Sequence, residues 1–330
     1  MVNLLKRFIR VVFLGAALFS AWVGYRVSKP VELPVVPYEI SIERGSSVKA
    51  IASQLANADV LPDAWSFVLL SRLMGVATSV KAGDYEITAS ISPFQLLQRI
   101  TRGDSSQSEI RFIEGWTFSQ LRRLLDEHPG VRHQTTHLSN REILRMIGAT
   151  ETTAEGLFFP DTYFFARGSS DVDILKRAYR AMRNHMDIAW KQRAANLPLK
   201  DPYEALILAS IVEKETGRKD DRRMVAAVFI NRLRSRMLLQ TDPTVIYGLG
   251  DKFDGNLRKK DLLSDQEYNT YTRLGLPPTP IALPGLASIR AALDPASTEA
   301  LYFVAKGNGE SHFSNNLADH NRAVSKYQKR

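Results

Sequence analysis

The sequence predicts an α+β protein in three parts: an N-terminal transmembrane helix, a small α/β module, and a larger mixed α+β domain. Three observations carry this. An uncharged run from Val11 to Tyr25 stands directly behind Lys6, Arg7 and Arg10. Short alternating strands and amphipathic helices then follow one another without a dominant repeat. One helix, between Asp201 and Gly217, is apolar on nearly every side, which marks the centre of a core.

The 330 residues are 44% hydrophobic, enough for a sizeable core and for about two domains. The net charge of +9 is spread along the chain with no block of like charges. That describes a solvated basic surface and not a nucleic-acid site, and it leaves attraction to an anionic polymer or membrane open. The chain has no cysteine, so disulfides and Cys-based metal sites are excluded.

The fifteen uncharged residues after Arg10 fall short of a span of about 20. Phe8 and Ile9 lengthen the run if Arg10 snorkels, and Trp22 and Tyr25 suit a membrane interface. A cleavable signal peptide is the competing reading, but no small-x-small site ends the run. Residues 1–29 therefore read as a cytoplasmic tail and an uncleaved anchor, with the chain beyond them on the far side. Residues 30–37 hold three prolines and read as an extended linker lifting the rest off the membrane.

Residues 38–105 form the small module. Tyr38 to Ile42 alternates like a strand, Ser47 opens a helix carrying Val48, Ile51, Ala52 and Leu55, and Ala64 to Met74 is helical. Gly83 to Ile87 returns as a strand, and a short helix starts at Pro93. Residues 106–330 form the larger domain. Ile110 to Ile113 reads as a strand, Phe118 to Leu125 as a helix, and Asp171 to Ala195 as a long polar helix. The stretch from Glu155 to Tyr163 is an aromatic loop with acids at both ends, equally suited to a sugar platform or a core corner. Strands follow at Leu301 to Ala305 and around His312, and a closing helix runs from Asn316 to Gln328.

The central helix carries the chemistry. Asp201 caps it, Pro202 suits its first turn, and Gly217 offers a stop. Glu213 continues the inward stripe of Leu206, Ala209 and Ser210. Burial and the negative end of the helix dipole both favour its neutral form, the state a general acid needs. Glu215 is expected at the exposed end of the helix. From this helix alone, a solvated end carrying both glutamates remains the competing reading. No P-loop, no G-x-G-x-x-G after a strand and no G-x-S-x-G elbow occurs. His133 and His137 lie in a loop without an H-E-x-x-H pattern, so no metal or cofactor is expected.

The segments "ASIVEKETG", "VFINRL", "LQTDPTVIYG", "NTY", "GLPPTPIALPG" and "LYFVAKGNG", then "HF" and "HN", occur in order between residues 209 and 321. With "EGWT" at 114 and "EGLFFPDTY" at 155 they closely resemble the endolytic murein transglycosylases, the YceG-like family, over roughly the whole chain. The module at 38–105 likewise resembles a LysM fold, which binds N-acetylglucosamine-containing glycans. The family resemblance implies a single-pass inner-membrane lyase with its catalytic domain in the periplasm. Such enzymes cut nascent peptidoglycan strands between N-acetylmuramic acid and N-acetylglucosamine, leave 1,6-anhydro ends and terminate elongation beside peptidoglycan synthases. It implies Glu213 as acid and base, and places Glu155, Asp161, Gln240, Asp242, Tyr247, Asn269 and Tyr271 as groove candidates. Two other readings stand against it: a non-catalytic glycan-binding scaffold, and a muramidase using Asp242 to activate water.

Overall fold

The alternation that predicts the first strand is the alternation that buries it. In β1 (Tyr38–Ile42), Ile40 and Ile42 face a core while Glu39 faces out. The computed structural model describes residues 2–34, 36, 38–43, 45–103 and 107–328; side chains are undescribed at 2–12, 16, 107 and 219. The chain divides into two units, one of residues 1–109 with 164–168, the other of 110–163 with 169–330.

The first unit opens with α1 (Val2–Ser28). After β1 come α2 (Val48–Asn57), α3 (Ala64–Leu73), β2 (Gly83–Ile87) and α4 (Pro93–Arg102). Each helix starts where its sequence supplies an oxygen for a free N–H. Ser47 accepts from Ala50 N, Asp63 accepts from Ser66 N, and Ser92 with Gln95 forms a capping box. Gly103 closes α4 in the left-handed region, at φ +84°. β1 and β2 pair antiparallel, Tyr38 opposite Ile87, and cover a core of Ile51, Leu55, Phe67, Tyr85, Leu97 and Ile100.

The proline-rich segment behaves differently from the expected spacer. Val27 is 6% exposed, Val31 N donates to Ile91 O at 3.0 Å, and Leu33 packs on the unit's core. Arg26 also reaches Asp63 at 3.0 Å. Prolines favour extension but do not prevent docking, and the apolar residues between them have a surface to cover. Among the described residues no helix is long and apolar enough to cross a membrane. Lys6, Arg7, Arg10 and the other side chains before Phe13 lie outside the described ones.

The second unit begins in β3 (Gln107–Arg111) and continues through α5 (Phe118–Glu127), β4 (Val131–Arg132), α6 (Asn140–Ile147), β5 (Thr162–Ala166) and β6 (Ser169–Ser170). The helices α7 (Asp171–Lys191), α8 (Pro202–Glu215), α9 (Lys219–Arg234), α10 (Asp242–Leu249), α11 (Lys259–Leu263) and α12 (Leu286–Leu293) follow. The hairpin β7 (Tyr302–Ala305) and β8 (Ser311–Ser314) and helix α13 (Leu317–Tyr327) end the chain. The sheets are small pairs, β1 with β2, β3 with β5, β4 with β6 and β7 with β8.

Helix α8 is the centre of this unit. Every residue from Ala205 to Val212 is buried, and the helix packs against α7, α9, α10 and α12. Asp201 caps it as expected, its Oδ1 accepting from Glu204 N at 2.9 Å. Its end departs from expectation. Thr216, in extended conformation, terminates it, and α9 starts three residues later, at Lys219, so Gly217 is not a left-handed stop. This short turn fixes the last turn of α8, and with it the two glutamates.

Candidate active site

Residues two apart on a helix point about 200° from each other, so Glu213 and Glu215 leave α8 on opposite sides. The expectation for Glu215 is overturned. Its side chain is not at a solvated helix end but buried in the wall of a cavity of about 520 Å³. The cause is the chain that follows. Thr241, 1% exposed, donates its hydroxyl to Glu215 Oε1, which draws the 239–242 segment over the helix end.

Burial raises the Glu215 carboxyl above the ordinary carboxylate range. The Thr241 hydrogen bond works against this, the neighbouring Asp242 carboxylate adds to it, and Arg232 again opposes it. Asp242 accepts from the Tyr271 hydroxyl, which burial and that carboxylate push upward. Gln240 stands exposed at φ +50°, a conformation that costs a residue with a side chain and occurs most at binding sites. Its N–H donates to Thr270 O at 3.0 Å.

The far wall is aromatic. Arg232 is pinned by Leu301 O at 2.7 Å and Leu239 O at 2.8 Å, with Tyr302 beneath it at 5.1 Å. His320 stacks on Tyr302 with ring centroids 5.2 Å apart. Burial and Arg232 hold its imidazole below the usual range, so it is neutral at pH 7. Its buried Nδ1 has no hydrogen-bond partner. Phe303 and Asn321 complete the lining.

Glu213 has a different environment. Its Oε2 accepts from Gly285 N at 2.9 Å, and its Oε1 lies 3.8 Å from Arg222 Nη2. The two side chains are 7% and 9% exposed. Glu114 joins them. Burial raises its carboxyl, repulsion from Glu213 adds to that, and Arg222 offsets part of it. Glu213 thus meets a backbone N–H and Arg222, whereas Glu215 meets the Thr241 hydroxyl in the wall of the cavity.

The groove candidates separate in the same way. Gln240, Asp242 and Tyr271 line the Glu215 cavity. Glu155 and Tyr247 pair elsewhere, Tyr247 donating at 3.1 Å, and Glu155 also accepts Phe118 N at the start of α5. Burial pushes Glu155 up to about 7. Asn269 is fully buried and donates to the carbonyls of Leu262 and Ser264, while its Oδ1 accepts Tyr271 N. It shapes the loop that presents Tyr271. Asp161 is exposed and accepts Thr162 N. Reasoning from sequence missed Glu215, Arg232, Tyr302, His320 and Asn321. The "HF" and "HN" pairs mark the last region, but nothing in them says that it meets α8.

Residues 40–326 match the YceG-like family, and the chain belongs to it. It is 34% identical over 306 residues to the endolytic murein transglycosylase of Bacillus subtilis, covering 87% of this chain and 84% of that one. It is 25% identical to the endolytic murein transglycosylase of Streptococcus pneumoniae R6, over 96% of this chain and 64% of the relative. The 2.6 Å crystal structure of a YceG-like protein from Listeria monocytogenes shares the fold, with a TM-score of 0.53 and 28% identity, over 86% of this chain and 98% of that one.

Proposed function

We propose that the chain is an endolytic murein transglycosylase, a membrane-anchored lyase that cuts peptidoglycan strands and leaves 1,6-anhydro-muramic ends. One observation carries the chemistry: a buried carboxyl, raised by its surroundings, in the wall of a cavity with Asp242, Gln240 and an aromatic floor. The names of the relatives supply the substrate class.

In this reading Glu215 starts protonated and donates to the oxygen joining N-acetylmuramic acid to N-acetylglucosamine. An oxocarbenium-like centre develops at C1. The resulting carboxylate takes the proton of the sugar's own C6 hydroxyl, whose oxygen closes on C1. The nucleophile is already tethered to the reacting centre, so one cycling carboxyl is enough. Tyr271 offers a face for a sugar ring, and Gln240 and Asn321 offer amide groups for hydroxyls and acetamides.

Glu213 is the second reading. The family resemblance favours it, and in it Glu114 stands as a second carboxyl beside the acid. Product analysis on purified sacculi decides between the two. Glu215→Gln should lower the rate by ~2 to 4 orders of magnitude, the scale of general acid-base catalysis. Glu213→Gln should act mainly on stability, since it leaves Arg222 buried without its counter-charge. The reverse pattern would return the role to Glu213. Reducing muramic ends in place of anhydro ends would make water the nucleophile and the enzyme a muramidase.

The anchor belongs to the same proposal. Within α1 the uncharged run from Val11 to Tyr25 rises only about 23 Å at 1.5 Å per residue, so a core of about 30 Å is reached with Phe8, Ile9 and a snorkelling Arg10. Phe13, Leu14, Leu18 and Phe19 stand more than half exposed along the helix, which suits lipid better than water. In this reading the basic residues before them favour a cytoplasmic N-terminus and a periplasmic remainder. The LysM-like module would add glycan affinity, and peptidoglycan synthases would be natural neighbours of a strand-terminating enzyme.

A further inference from the structure

The first unit carries an aromatic group that the glycan chemistry leaves unused. Trp65, near the start of α3, stacks on two residues of α1: Trp22, with ring centroids 5.9 Å apart and planes 17° apart, and Phe19, at 6.4 Å and 18°. All three rings remain about half exposed, at 46%, 47% and 54%. Trp65 therefore sits at the same level along α1 as residues 19 to 22, within the uncharged run that ends at Tyr25. Whatever medium surrounds Phe19 and Trp22 also surrounds Trp65.

One turn further along α1 the chemistry reverses. Arg26 pairs with Asp63, the residue that caps α3, and also lies over the Trp22 ring at 5.6 Å. Lys29 lies over Tyr25 at 5.8 Å. Four residues of helix rise about 6 Å, so aromatic rings give way to fixed charges over about one turn. Trp and Tyr with cations just outside them are the pattern of a bilayer interface. On α3, Leu69 and Arg72 follow Trp65 at i+4 and i+7, on one face. Arg72 is exposed there, with a stem long enough to reach headgroups.

We propose that this face of the first unit, Trp65 and Arg72 of α3 beside Phe19 and Trp22 of α1, is seated in the membrane interface. The unit then rides on the bilayer and does not hang from a spacer. The docking of Val31 and Leu33 leaves no free length for one. The proposal rests on α1 being the anchor. A bare aromatic platform for sugar rings is the competing use of Trp65, but its closest neighbours belong to the apolar run itself.

The chain has four tryptophans and no cysteine, which makes the test direct. Full-length protein is placed in phosphatidylcholine–phosphatidylglycerol vesicles whose acyl chains carry bromine. Variants retain only Trp65, only Trp22 or only Trp190, the others replaced by Phe. Trp65 should lose fluorescence to an extent comparable with Trp22, while Trp190 should not change. Loss at Trp22 without loss at Trp65 overturns the proposal and leaves the anchor standing. Loss at neither removes the anchor and the proposal together. A Trp65 spectrum that shifts on adding soluble glycan strands, without lipid quenching, assigns the ring to sugar instead. Arg72→Cys carrying a nitroxide checks the face without altering the aromatic stack. Greater accessibility to oxygen than to a water-soluble nickel complex supports seating, and the opposite order overturns it.

Discussion

Glu215 and Asp242 are two carboxyls of one cavity, and their coupling gives a test with a sign. Burial lifts Glu215, and the Asp242 charge lifts it further. An acid catalyst works below its pKa and fails above it, so under the proposed mechanism Glu215 would set the alkaline limb of the rate profile. Asp242→Asn removes the repulsion, lowers that pKa and should move the limb to lower pH. A limb that stays in place would mean that the two groups do not share a field during the reaction. Glu155 provides a second sign. Its folded value of about 7 lies above the unfolded one, so its contribution to stability is present below the usual carboxylate range. That contribution is lost as pH rises through about 7. Glu155→Gln keeps an acceptor for Phe118 N and turns its NH2 toward the Tyr247 hydroxyl, which can accept it, so its melting temperature should fall less than that of the parent between pH 5 and pH 8. Parallel curves would place the Glu155 titration outside this window. At this scale the sequence was partly legible. "LQTDPTVIYG" and "NTY" marked Gln240, Asp242 and Tyr271, and the structure brings these together. Periodicity could count Glu213 and Glu215 onto opposite sides of α8 but could not say what either side meets. That depends on where Thr241 docks, 26 residues from Glu215.

The turns that join elements decide the rest. Gly285, ahead of α12, is where two carboxyls meet the backbone. Its N–H serves Glu213, and a methyl group at its α-carbon would lie 1.8 Å from Glu114 Oε1. Gly285→Ala should therefore destabilise by about 1 to 3 kcal/mol, as overpacking does. Combining it with Glu114→Ala should return part of that loss, because the clash needs both groups. A double variant as unstable as the sum of the two would assign the requirement to the backbone and not to Glu114. Caps were the legible part of the elements. Asp201 and Ser47 each bond where their sequence position predicts. The stop of α8 and the start of α10 were not. Thr216 ends one without a glycine, and Asp242-Pro243 opens the other. Both are settled by partners distant in sequence.

For the whole molecule, the attachment of α1 was not legible in the sequence. A proline-rich segment reads as a tether when its partners are unknown. The tether and docked arrangements differ in what truncation does to the first unit. A soluble form starting at residue 18 keeps the Trp22–Trp65 stack, the Arg26–Asp63 pair and Val27. A form starting at residue 34 loses these together with the Val31–Ile91 bridge and Leu33. Burial of a side chain such as Val or Leu is worth about 1.5 to 3 kcal/mol, and 1 kcal/mol moves the midpoint of a small domain by roughly 4 to 8 °C. The shorter form should therefore melt well below the longer one in its first unit, by differential scanning calorimetry. In the longer form the Val31 amide, donated to Ile91 O, should be protected from hydrogen exchange. Equal melting and an unprotected Val31 amide would restore the spacer. The first unit would then hang free of α1, and the catalytic chain would reach its glycan strand on a flexible lead.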